Sequence, residues 1–348
     1  MTREKIVITG LGVLAPNGNN VDAFWAACTA GKSGIGRITY FDSSEHRVSI
    51  AGELSDFQPE MVLDPKEIRK LDPFSIYALV ATDEAVKMAN IDPEKLDMDR
   101  VGVTIGTGVG GIQTLEEQHS VIENKSARRV SPQFVPKMIA NIAGGHLSIR
   151  WGFKGPNQTV TSACASATDA IGMAMRLIMA GDADMMICGG TEASVTPLTI
   201  AGFANMRALS QSCDEPTKAS RPFEKDRNGF VLGEGAGILV IETESHAKNR
   251  GATILAELIM KAERDGSLSH GLFRLPAYVS GLKSGKINGK ARPNVKKISP
   301  SVIKVEGNNC LAPMVLNKGI PELINAAKES GVAILAITNS QHMAAMWP

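Results

Sequence analysis

Cys164 stands in the run TVTSACASATDA, residues 159–170, where every neighbour is small or polar. An apolar β-type stretch precedes it and a helical pattern follows, so the thiol falls on the first turn of a helix. Unpaired backbone N–H groups there favour a negatively charged sulfur, the form that attacks a carbonyl carbon. The same setting suits an inert core residue, because free cysteine also packs as a small apolar side chain. On the residues alone both readings stay open. The other cysteines, Cys28, Cys188, Cys213 and Cys310, make an odd total at irregular spacing, so neither a disulfide framework nor a C-x-x-C metal site is expected.

Three glycine-rich stretches could cradle a phosphate. GLGVLA, with Gly10, Gly12 and Ala15, fits the dinucleotide fingerprint after a strand, but Pro16 and NGNN stand where its helix should begin. GTGVGG and GEGAG read better as tight turns and close backbone approaches.

The elements that must position the thiol follow from periodicity. Apolar runs at KIVITGLGVLAP, RVGVTIGTG, NQTVTSA, ADMMICGG and GAGILVIE predict strands. LDPFSIYALVATDEAVKMAN predicts a helix with Asp72 as N-cap and Pro73 at its first position, and TEASVTPLTIAGFANMRAL a broken helical region. This alternation predicts a mostly parallel sheet covered on both faces. Residues 164–180 are apolar around almost the whole helical circumference, which predicts a helix enclosed on all sides.

Composition narrows the function classes. With 348 residues, 43% apolar and 21% charged, the chain has the makeup of a globular protein. The N-terminus lacks the apolar stretch and cleavage site of a signal peptide, and no window is read as membrane-spanning, so a cytoplasmic, membrane-free protein is expected. The net charge of +1 hides an asymmetry: residues 261–348 carry 12 basic and 5 acidic residues, leaving 25 against 31 before them. Few aromatics accompany the basic residues Lys283, Lys286, Lys290, Arg292, Lys296 and Lys297, so a solvated face is expected and no nucleic-acid partner.

IVITGLGVLAPNGN, GTGVGGI, SPQFVPKMIANIAGGHLSIRWGFKGPN, TSACASATDAIG, GDADMMICGGTEA, ALSQS, ASRPFEKDRNGFVLGEGAGILVIE and HAKNRGATILAEL together resemble the type II-like β-ketoacyl-acyl-carrier-protein synthases, in order, over residues 1–259. The resemblance implies an α/β chain carrying the N-terminal half of a thiolase-like fold, a mixed sheet with helices on both faces, and membership of a homodimer. It implies that Cys164 takes an acyl chain as a thioester from acyl carrier protein. A malonyl thioester would then lose carbon dioxide and attack that acyl group, giving a 3-oxoacyl product of fatty-acid elongation without a cofactor. Val109 and Phe203 would line the acyl pocket. Lys66, Arg69 and Lys70 would dock the acidic carrier protein from one face of a helix capped by Asp64 and Pro65.

The family's second step uses two histidines and a lysine in stretches like NAHGTST and KSxxGH, with a GFGG loop completing the oxyanion hole. None of these stretches occurs in the 348 residues. His46, His119, His146 and His246 do not correspond to that pair; His119 and His246 are expected at the surface, and His146 as a satisfied structural residue. Condensation by this chain is therefore expected to be incomplete, and a non-catalytic half-synthase that binds carrier protein is one alternative.

From residue 260 the text changes. DGSLSHGLFRLP and GVAILAITNSQHMAAMWP resemble the type-2 malate/L-lactate dehydrogenases over residues 260–348. That resemblance implies a small α/β fragment of a dehydrogenase fold, with Ser269 and His270 as an acid/base relay and Asn339 and His342 near the substrate. An NAD(P)-dependent 2-hydroxyacid dehydrogenase is thus the second alternative, with NAD(P) a cofactor only if the segment were completed. So abrupt a change reads as chimeric, two truncated genes joined in one frame. At the junction the strand character of ATILAELI is expected to win, with a helical turn beginning near Lys261.

Overall fold

The computed structural model describes residues 4–257, 293–299, 301–306, 321–323, 325–326, 328–329 and the backbone of 334–338. The chain falls into two compact units, Met1–Met260 and Lys261–Pro348.

The first unit is built on a six-stranded sheet. Its strands are β1 (Ile6–Leu14), β2 (Val101–Gly106), β3 (Asn157–Val160), β4 (Met185–Glu192), β5 (Gly235–Thr243) and β6 (Ala256–Glu257), in the spatial order β3-β2-β4-β5-β1-β6. β2 pairs in parallel with β3 and β4, whereas β5 pairs antiparallel with both β4 and β1, and β6 antiparallel with β1. The sheet is therefore mixed rather than mostly parallel. β5 enters between β4 and β1 in the reverse direction, while β1 to β4 all point one way and deliver their C-terminal ends to one edge. At the junction a strand does form, over Ala256–Glu257 among the described residues, with Leu255 N–H bonded to Ile8 C=O just before it. Lys261, where a helical turn was expected, lies outside the described residues.

Six helices of eight residues or more flank this sheet among the described residues: α1 (Val21–Thr29), α2 (Pro73–Met88), α3 (Ile112–Asn124), α4 (Ile142–Trp151), α5 (Ser166–Ala180) and α6 (Pro197–Asn205). On one face, Phe74 and Leu79 of α2 and Leu147 of α4 bury against Val103 and Ile105 of β2 and Ile187 of β4. Side chains alternate along a strand, so Met186 and Cys188 turn to the other face, where α5 packs. The expected cap of α2 is present and does more than cap. The buried Asp72 carboxylate accepts from Phe74 N–H and from both the N–H and the hydroxyl of Thr114, tying the first turn of α2 to that of α3. Burial raises its pKa against those hydrogen bonds and the nearby Lys137.

The dinucleotide-like glycines serve packing. β1 runs straight through them, and α2 lies so close that a Cβ at Gly10 would strike the carbonyl of Ala85 and one at Gly12 that of Ala81. Gly12→Ala is expected to cost about 1–3 kcal/mol through overpacking, read as a lower thermal midpoint; an unchanged midpoint would mean that the helix has room to shift.

The enclosed helix is corrected. Ala170, Ile171, Ala174 and Ile178 of α5 are buried, but Arg176, Met179 and Ala180 are exposed, because the sheet covers only one side. The run Ala163–Ala180 is also long and apolar enough by length and composition to cross a membrane, contrary to the sequence reading; with one face buried in the unit, it fits a core helix as well.

In the second unit β7 (Asn294–Ser299), β8 (Val302–Glu306) and β9 (Ile334–Thr338) form a three-stranded sheet, β8 parallel to β9 and antiparallel to β7. Lys297, expected to be solvated, pairs with Glu329 at 2.5 Å and stays half-exposed. Lys283, Lys286, Lys290 and Arg292 lie outside the described residues.

Candidate active site around Cys164

The C-terminal ends of β1, β2 and β4 and the start of β5 open onto a cavity of about 490 Å³, and Cys164 lies in its wall. Ligand sites of open α/β sheets sit at such strand ends. A close approach makes the site possible: Gly106 ends β2 against the first turn of α5, where any Cβ would meet the Ser166 carbonyl.

The turn carrying the thiol is tightly held. Cys164 occupies a single 3₁₀ turn, Ala163–Ala165, that leads into α5. Ser166 Oγ accepts from Ser162 N–H at 2.9 Å and donates to Ala163 C=O at 2.7 Å, while Ser162 Oγ donates to Asp169 at 2.5 Å. Ala163 has a φ of 54°, the left-handed region, which costs a residue with a Cβ roughly 1–2 kcal/mol. The surrounding hydrogen bonds hold that strain, and the thiol is presented outward, exposed rather than packed. Cys164 is therefore not packed in the core of this unit.

The wall is largely apolar. Val109, on the loop after β2, and Phe203, on α6, both line the cavity, so the structure brings together the three residues singled out for acyl transfer. Phe203 meets Phe230 edge-on, with ring centroids 5.4 Å apart. Two carboxylates that sequence reasoning missed also line the cavity. Glu192, the last residue of β4, accepts from Gly108 N–H at 2.5 Å, Ser194 Oγ at 3.0 Å and Thr107 Oγ1 at 3.3 Å. Glu234 accepts from Tyr40 Oη at 2.5 Å, Leu54 N–H at 2.8 Å and Tyr77 Oη at 3.2 Å, and burial raises its pKa against these bonds. Their only sequence signal is a lone glutamate at each end of an apolar strand run.

Other sequence-chosen residues lie elsewhere. Lys66, Arg69 and Lys70 are all exposed on and just after the one-turn helix Pro65–Ile68, whose cap Asp64 accepts from Lys66 N–H at 2.7 Å. No histidine among the described residues lines the Cys164 cavity. His46 and His119 share a separate recess with Leu115, Glu116 and Leu198, and His119 is exposed on α3 as expected. His246 is corrected: it is half-buried, its Nδ1 2.6 Å from the buried Glu242. His146 is half-buried on α4, where burial lowers its pKa, and no side-chain hydrogen bond reaches it from the described residues. Ser269, His270, Asn339 and His342 lie outside the described residues.

Residues 3–247 match the family described as beta-ketoacyl synthase, N-terminal domain, and residues 241–348 match malate/L-lactate dehydrogenase. The 3-oxoacyl-[acyl-carrier-protein] synthase 2 of Synechocystis is 46% identical over 259 residues, 74% of this chain and 62% of that one. Its counterpart in Coxiella burnetii is 48% identical over 259 residues, covering 74% and 63%. A solved type II PKS acyl-carrier protein in complex with its ketosynthase superposes with a TM-score of 0.65 at 30% identity, over 74% of this chain and 62% of that one. The chain thus spans less than two thirds of the length of the curated relatives it matches. With its mixed sheet, covered on both faces, and its cysteine at the head of α5, the chain belongs to the beta-ketoacyl synthase family.

Proposed function

We propose that this chain carries out the acyl-accepting half of 3-oxoacyl-acyl-carrier-protein synthesis. Cys164 loses its proton and its sulfur attacks the thioester carbonyl of an acyl carrier protein. The acyl–sulfur bond to the carrier's pantetheine breaks, and the departing thiolate takes up a proton. The observation that carries this reading is the outward-facing Cys164 thiol in the same apolar cavity as Val109 and Phe203. The step calls for no cofactor on this chain. Its test is incubation with acyl carrier protein bearing a long acyl group, followed by peptide mapping: an acyl adduct on Cys164 is expected, and its absence overturns the reading.

The carrier protein docks on Lys66, Arg69 and Lys70. Their exposure as a basic cluster fits an acidic partner, as does the carrier-protein complex of the related ketosynthase. Lys66→Glu with Arg69→Glu is expected to weaken carrier binding by about a hundredfold, the effect of reversing two charges facing an acidic partner, whereas Cys164→Ala binds as the parent does. Equal binding by the charge-reversed chain would remove the patch from the proposal.

A homodimer is part of the same reading, supported by β3, an edge strand with its outer side unpaired among the described residues. The boundary near residue 260 separates the synthase segment from the dehydrogenase-like one, and the working location is the cytoplasm. The dehydrogenase alternative rests on Ser269 and His270 and is tested by nicotinamide binding to the full chain.

A further inference from the structure

We infer that Glu192 is a positioning residue that holds the loop Thr107–Val109 as a wall of the cavity and thereby makes room for a long acyl chain at Cys164. This rests on the acyl-accepting reading above.

The loop leaves β2 at Gly106, and its first residue is held to β3 by Thr107 N–H to Val160 C=O at 3.2 Å. Thr107 is buried, Gly108 has no side chain, and Val109 is half-exposed at the cavity. Glu192 adds a side-chain anchor for Gly108 and the Thr107 hydroxyl from the neighbouring strand β4. Its Oε2 takes the Gly108 N–H and its Oε1 the Thr107 hydroxyl. Thr107 Oγ1 in turn accepts from Gly110 N–H at 3.1 Å, so the carboxylate sets both sides of Val109. Ser194, itself buried, donates to Oε1 and fixes the carboxylate from behind. Hydrogen bonds to a charged acceptor are among the stronger ones. The approach is also close: a Cβ at Gly108 would come within 2.9 Å of Glu192 Oε2. Thr107, Gly108, Val109, Glu192 and Ser194 all line the cavity, no Lys or Arg does so among the described residues, and their hydrogen bonds run to one another rather than to the sulfur, which fits a role in shaping the space rather than in bond making.

The test uses the complete 348-residue chain and two thiol reagents, N-ethylmaleimide and a maleimide with an unbranched decyl tail, with Cys164 modification followed by peptide mass. The parent is expected to favour the decyl reagent. In Glu192→Ala that preference falls by about tenfold, the worth of one charge-assisted hydrogen bond, while the N-ethylmaleimide rate holds. Glu192→Gln, which still accepts from Gly108 N–H, keeps the preference. Thr107→Val, which cuts the same link from the loop side, loses it. An unchanged preference in both Glu192→Ala and Thr107→Val overturns the inference, as does an equal fall for both reagents or a Glu192→Gln variant that behaves like alanine. Because maleimide needs no acyl transfer, failure of Cys164 to take an acyl group would count against the function and leave this result readable.

Discussion

Mixed with both acyl and malonyl carrier protein, this chain is expected to gain one acyl group and stop. The adduct maps to Cys164 and is lost in Cys164→Ala. Transfer to sulfur needs an exposed thiol, an apolar groove and a leaving thiolate, and the first two are in place. The second step asks for more, since an enolate oxygen develops charge as carbon dioxide leaves and needs fixed donors. No histidine among the described residues faces the cavity, and the 348 residues hold no stretch like those that carry the family's pair. One such donor is worth roughly a hundred- to a thousandfold in rate, so 3-oxoacyl product is expected at least a thousandfold below that of a full-length relative assayed alongside. Turnover comparable to the relative would show that other groups supply those donors.

Glu242→Ala is expected to be the most damaging substitution for stability. The carboxylate is fully buried on β5 and accepts from Arg250 through Nη2 at 2.6 Å and Nε at 2.8 Å, from His246 at 2.6 Å and from Thr9 at 2.5 Å. Arg250 also donates to Ala89 C=O at 2.8 Å, so one ion pair joins β1, β5 and the end of α2. Removing the carboxylate strands a nearly buried guanidinium, a loss of about 3–5 kcal/mol, against a total of about 5–15 kcal/mol for an ordinary domain. The denaturation midpoint should fall accordingly. Burial opposes the charged form of Glu242, yet the hydrogen bonds from Arg250, His246 and Thr9 overcome it and bring the pKa from about 4.5 down to about 2. A lowered folded-state pKa gives stability that is complete above the unfolded value and disappears as pH falls. The parent should therefore lose stability between about pH 4.5 and 2, and Glu242→Gln should be flatter over that window. A variant with the parent's slope would assign the acid transition to other carboxylates.

What the sequence made legible was local. Asp72 before Pro73 announced a helix start, and that cap is present. The small-residue run around Cys164 announced a turn into a helix, although periodicity could not show that the helix is covered on one side only. Strand direction was beyond reach, since β5 reads as the same apolar run whether it enters parallel or reversed. Of the site, Cys164, Val109 and Phe203 came from resemblance, because residues so far apart share no local pattern. Glu192, Glu234 and Glu242 were silent for a physical reason: Glu192 and Glu234 hold partners more than eighty residues away, and Glu242, though Arg250 and His246 are near in sequence, is set by a burial that a single polar letter does not encode.

β1 lies inside the sheet, flanked by β5 and β6, with Ile6 opposite Thr243 and Val7 opposite Glu257. β1 must therefore wait for almost the last strands of its unit before it can pair. At about 5–20 residues per second, that delay is on the order of ten to fifty seconds, during which an apolar strand has no sheet to join. How long β1 stays exposed is then set by the order of synthesis rather than by the stability of the finished fold.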